Sequence, residues 1–304
     1  MTNTPTRIRQ ASAGLAVALL LLALSACSAD TAPTRPASAA QPTPTTTPVV
    51  QPTGVVDELV EVDGARLHAR CTGAGDTTIV LIAGFGDGGE SWTSVMPQLS
   101  RQARVCTYDR FGLGASDEPP TVQTFSSEAA DLRALLTTMG EVGPYVVVGH
   151  SFGGAEAVAV ADAFPDQVRG LALIDASPTN WITALCAVPD DGSEAARGPV
   201  QVCASVSDPA NNPERLDGRR AFAEVGHIAT LGDLPMVVVT APEHGISGLD
   251  ATENARLNAV WADGQDAWAG LSSASTLLEV PDTGHYIQVD QPQTVIDQIR
   301  SLLP

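Results

Sequence analysis

The chain has 304 residues, 44% of them hydrophobic and 17% charged, which suits one globular domain with a full core and requires no second catalytic domain. Its formal charge of −19 at pH 7 excludes nucleic acid and other polyanions as partners, because phosphate contacts need clustered cationic side chains. Every basic residue other than histidine is Arg and none is Lys, so Schiff-base chemistry and lysine phosphate cradles have no side chain to use.

In chain order, residues 1–27 read as a signal peptide: Arg7 and Arg9 precede an apolar run over 15–24 that is too short to span a bilayer. The run ends in Leu24-Ser25-Ala26-Cys27, which resembles the lipobox of bacterial lipoproteins. That resemblance implies a mature chain starting at Cys27, its thiol carrying diacylglycerol, exported and lipid-anchored at the bacterial cell surface or envelope. Residues 28–54 are rich in Pro, Thr and Ala and cannot bury enough apolar surface to offset their ordering entropy, so they are expected to form a disordered tether.

The folded domain is expected over 55–304. Residues 55–62 and 65–71 alternate apolar and polar about Asp63-Gly64, a two-residue hairpin signal. Short runs apolar on both faces at 78–83, 105–108, 145–149, 171–175, 236–240 and 276–280 read as buried parallel strands. Helical patterns lie between them at 90–99, 124–139, 152–163, 252–271 and 291–303. This alternation predicts an α/β class with a doubly wound, mostly parallel sheet. Residues 178–232 break the rhythm and read as a cap insertion beyond the carboxyl ends of the strands. Setting Cys27 aside, Cys71, Cys106, Cys186 and Cys203 form an even set in an oxidising context. Of three pairings, Cys71 with Cys106 and Cys186 with Cys203 is favoured, because each pair falls within one region of the fold.

Chemistry concentrates at Gly149-His150-Ser151-Phe152-Gly153, set between an apolar run and a helical pattern. A serine on such a cramped strand-to-helix turn needs glycine two residues either side, and the turn presents Oγ at the strand end. Here the residues resemble the α/β-hydrolase family, from about residue 55 to the last residue given. The resemblance implies Ser151 as nucleophile and an oxyanion hole from the Phe152 amide and the Phe85 amide of Leu81-Ile82-Ala83-Gly84-Phe85-Gly86, with Ala83 where many family members carry His. Tyr108-Asp109-Arg110-Phe111-Gly112-Leu113-Gly114-Ala115-Ser116 resembles the family's supporting turn after the next strand.

A serine hydroxyl needs a base, and of the downstream candidates His227, His244 and His285 only His285, in Gly284-His285-Tyr286, stands where the family places it. His227 is expected at the cap surface, His150 facing away from the serine, and His68 solvated on the hairpin. The orienting acid is taken to be Glu243, just after the penultimate strand, with Asp175, at the end of 171–175, as the alternative. Trp181 serves either an acyl pocket or the cap core. The resulting expectation is a serine hydrolase cleaving a small-molecule carboxylic ester, with no metal or organic cofactor. Haloperoxidase-like, amidase or lyase chemistry on the same triad, or a non-catalytic binding lipoprotein, are the alternatives.

Overall fold

A computed structural model of the chain describes residues 51–304; the leader, Cys27 and residues 28–50 of the expected tether lie outside the described residues. Gln51, the first described residue, brackets the Val142 main chain, its amide donating to the Val142 carbonyl (2.5 Å) and accepting from the Val142 N–H (3.1 Å). The last residues assigned to the tether are therefore docked on the domain.

Eight strands form one sheet: β1 (Val56–Val62), β2 (Ala65–Thr72), β3 (Thr78–Ile82), β4 (Arg104–Asp109), β5 (Tyr145–His150), β6 (Val168–Ile174), β7 (Met236–Thr240) and β8 (Ser275–Glu279), in the order β1-β2-β4-β3-β5-β6-β7-β8. The hairpin β1–β2 turns at Asp63 and Gly64, both with positive φ (50° and 89°), as a primed turn requires. β2 pairs antiparallel with β4, and every later pairing is parallel. Cys71 and Cys106 face each other across β2 and β4 and are bonded, with Cα atoms 4.1 Å apart.

The helices are α1 (Met96–Leu99), α2 (Phe125–Thr138), α3 (Phe152–Ala163), α4 (Trp181–Leu185), α5 (Glu194–Ser207), α6 (Gly218–Val225), α7 (Ala251–Ala269), α8 (Ile287–Asp290) and α9 (Pro292–Arg300). Period-two alternation explains the layering. Val80, Ile82, Val147, Leu171, Leu173 and Val238 bury one sheet face under α2, α3 and α6. Their strand neighbours Ile79, Leu81, Val146, Val148, Ala172 and Val239 bury the other under α1 and α9. Both faces are covered, so β3 to β7 are buried at nearly every position.

The stretch 178–232, between β6 and β7, contains three helices, α4 to α6, with Cys186 at the end of α4 bonded to Cys203 of α5. Two expectations change. The helix expected over 90–99 is a 3₁₀ turn (Gly89–Trp92) followed by the short α1. His68, expected in solvent, is buried, with Nδ1 2.8 Å from Asp109 Oδ2 and Nε2 2.8 Å from Asp57 Oδ1. The cause is that β2 lies between β1 and β4, which supply Asp57 and Asp109 to the two nitrogens of the ring.

Candidate active site

Ser151 sits between β5 and α3 at φ 55°, ψ −122°, a conformation that costs a non-glycine residue about 1–3 kcal/mol and persists only where its surroundings impose it. The crowding is measurable at the flanking glycines. A Cβ on Gly149 would lie 2.0 Å from the Gly153 carbonyl oxygen, and one on Gly153 would lie 2.3 Å from that of Ala83. Ser151 N–H donates to the Ile174 carbonyl (3.2 Å), which ties the turn to the end of β6.

From this turn the Ser151 Oγ lies 3.0 Å from His285 Nε2, and His285 Nδ1 lies 2.6 Å from Asp175 Oδ2. Three segments far apart in sequence thus form one hydrogen-bonded line at the carboxyl edge of the sheet. Ser151 and Asp175 are buried while the His285 side chain remains 35% exposed, so the line opens to solvent at the imidazole.

Asp175 is the carboxylate partner of His285. Glu243, the first choice from sequence, is exposed and makes no hydrogen bond to another described residue. The reason is positional: Asp175 lies directly after β6, one strand from the nucleophile, and its backbone (φ 45°) turns the carboxylate into the site. There Oδ1 accepts from Thr240 Oγ1 (3.0 Å), the Ala241 N–H (3.0 Å) and Trp261 Nε1 (3.1 Å). Oδ2 accepts from His285 and also from His244 Nε2 (2.7 Å). Burial pushes the Asp175 carboxyl up, but the hydrogen bonds and charges of His244 and His285 outweigh it and hold the group well below the usual carboxylate range.

The other imidazoles sort themselves by contact. His150 is fully buried, with Nε2 2.9 Å from the His285 carbonyl oxygen and its ring 4.7 Å from that of His285. Burial, and then the neighbouring His285 ring, pulls it down to about 3, so it is neutral at pH 7 and braces the His285 loop. His227 is exposed, as expected. Trp181 packs edge-on against Trp261 (4.8 Å), placing it in the cap interior beside the triad.

Opposite His285 runs the loop containing Phe85. Arg110 donates to the carbonyls of Ala83 (2.7 Å) and Gly84 (2.5 Å) and pairs with Glu214 (2.6 Å), whose other oxygen accepts the Gly86 N–H (2.7 Å). Phe85 is clamped from both sides by this buried pair, and Glu214 ties the 178–232 insertion to the same loop. The supporting turn read from Tyr108 to Ser116 therefore reaches this loop through Arg110. Neither the Phe85 nor the Phe152 N–H donates to another described residue, and the two rings lie 5.2 Å apart on the serine side. Ser177 Oγ stands 3.2 Å from Ser151 Oγ.

Among the described residues, two groups bring three potential metal-ligating atoms within 4.8 Å: Asp175, His244 and His285, and Cys71, Cys106 and Glu141. In the first both imidazoles already donate to the carboxylate; in the second the sulfurs are bonded to each other.

Sequence reasoning missed His244, Trp261, Thr240 and Ser177 as neighbours of the triad. The available signal was His244 itself, standing after β7 where the family resemblance implied a carboxylate.

With this geometry in place, residues 77–205 match the α/β-hydrolase fold family. The chain has the α/β-hydrolase fold. It is 22% identical over 241 residues to the Bacillus subtilis protein YqjL, covering 79% of this chain and 89% of that one. It is 35% identical over 125 residues to the 2-hydroxy-6-oxo-2,4-heptadienoate hydrolase of Pseudomonas putida, covering 40% of this chain and 45% of that enzyme. A thermophilic esterase from Thermogutta terrifontis superposes with a TM-score of 0.58 at 23% identity, over 83% of this chain and 98% of the esterase.

Proposed function

We propose that this α/β-hydrolase-fold chain cleaves carboxylic esters through an acyl-enzyme on Ser151. The reading is carried by the Ser151–His285–Asp175 line, with its 3.0 and 2.6 Å hydrogen bonds, on a strained turn. Esterase and hydrolase names among the similar proteins support it.

In this reading Asp175 fixes the tautomer of His285, keeping the proton on Nδ1 so that Nε2 can accept from Ser151. As Oγ attacks the ester carbonyl, His285 takes its proton and becomes an imidazolium opposite the Asp175 carboxylate. The N–H groups of Phe85 and Phe152 receive the developing oxyanion, and each such donor supplies roughly 3–4 kcal/mol at a preorganised site. His285 then protonates the leaving alcohol, a water takes the alcohol's place, and the same steps in reverse order release the acid.

Hydrolysis of short-chain p-nitrophenyl esters by the purified chain tests this. Activity is expected in the wild type and absent in Ser151→Ala; undiminished activity in that variant overturns the proposal. We further propose export and lipidation at Cys27, tested by incorporation of a labelled fatty acid that Cys27→Ser abolishes.

A further inference from the structure

His244 occupies an unusual place beside the triad. It follows β7, and its side chain is 7% exposed, with Nε2 2.7 Å from the same Asp175 oxygen that receives His285. Its ring stacks on Trp261 at 4.1 Å and 15°, while Trp261 meets His285 edge-on at 5.4 Å and donates Nε1–H to the other Asp175 oxygen. Its main-chain N–H donates to Asn258 (2.7 Å), which fixes the loop against α7. Two imidazoles therefore share one oxygen of one buried carboxylate, and one indole holds both rings and the acid.

We propose that His244 is a positioning residue: it donates Nε2–H to Asp175 Oδ2 and holds the carboxylate in register for His285. This rests on the triad reading above.

When His285 takes the Ser151 proton, its positive charge is balanced by Asp175, so the carboxylate must stay where it faces Nδ1. The His244 donor on the same oxygen, with the three donors on the other, keeps it from rotating away. The ionisable groups facing His244 are Asp175 from β6 and His285 from the loop ahead of α8. From α7 it meets neutral Trp261 and Asn258, and on its own loop Glu243 points to solvent. His150, the third buried imidazole, touches His285 instead.

Two variants separate the donor from the space it fills. Gln at position 244 carries an amide N–H at about the reach of the imidazole Nε2, and Ala removes the donor. With the full chain and p-nitrophenyl acetate at one fixed pH, His244→Ala is expected to lower kcat about tenfold with KM little changed, the cost of one hydrogen bond to a charged group, and His244→Gln to restore kcat to within about threefold of wild type. Wild-type kcat in His244→Ala, or a loss in His244→Gln as large as in His244→Ala, overturns the inference. Should the Ala variant fail to fold, His244→Met, which fills the space without a donor, takes its place with the same expected loss. Failure of the triad reading is distinguishable: it appears as activity surviving Ser151→Ala, whereas failure of this inference leaves Ser151→Ala inactive and the His244 variants at the wild-type rate.

Discussion

Replacing Asp175 by Asn changes one atom of a side chain that accepts five hydrogen bonds, and the structure dictates where the amide turns. Three donors converge on Oδ1, from Thr240, Ala241 and Trp261, and two imidazole donors on Oδ2. Only one side can now accept. Leaving a buried donor unpaired costs about 1–3 kcal/mol, so the Asn oxygen stays with the three donors and its NH₂ faces His285 Nδ1. Two N–H groups then meet head-on, and His285 escapes by moving its proton to Nε2. In that tautomer it cannot take the Ser151 proton. Loss of the correct tautomer costs serine hydrolases roughly 10⁴ in kcat, or about 5.5 kcal/mol of transition-state stabilisation at 1.36 kcal/mol per decade. Steady-state kinetics on a p-nitrophenyl ester should show kcat lower by three to four orders of magnitude in Asp175→Asn with KM little changed, and Glu243→Gln within about twofold of wild type. A larger loss in Glu243→Gln than in Asp175→Asn would refute the assignment of the acid.

Gly149→Ala forces a Cβ to within 2.0 Å of the Gly153 carbonyl, a backbone contact with no flexible end to yield, so it should destabilise by about 3 kcal/mol or more in urea unfolding; a wild-type midpoint contradicts the crowding argument. Removing the Cys186–Cys203 bond by the double Ser variant opens a loop of sequence separation 17 and should cost roughly 3 kcal/mol in the same assay, with no loss meaning that α4 and α5 need no staple. His150, held neutral to about pH 3 when folded, takes up its proton near pH 6.5 when unfolded. The unfolded state binds more protons between those values, so this contribution to stability is intact above about pH 6.5 and is lost as pH falls. Between pH 7 and pH 5 the wild type should lose about 2 kcal/mol more than His150→Gln, and parallel losses would sink that account.

The strand pattern was legible because β3 to β7 are buried on both faces, and the elbow because its glycines are demanded by contacts closer than 2.5 Å. Both disulfide pairings were legible from region alone. The acid was not: Glu243 and Asp175 follow adjacent strands, and choosing between them requires knowing which backbone turns inward. Asp175 does so with a positive φ that no sequence pattern announces. The buried His68 was missed for a related reason, since the Asp109 that faces it is brought there by the long-range pairing of β2 with β4. His244 looked like a spare base because its role exists only through Asp175.

The central claim is that Ser151 is a nucleophile activated by His285. Treating the chain with a fluorophosphonate and mapping the adduct by peptide mass spectrometry tests it directly. A single adduct is expected on the peptide bearing Ser151, formed rapidly by the wild type and at least a hundredfold more slowly by His285→Ala, on the roughly 10²–10⁴-fold worth of a general base. An unlabelled Ser151, or labelling as fast without His285 as with it, would contradict the claim.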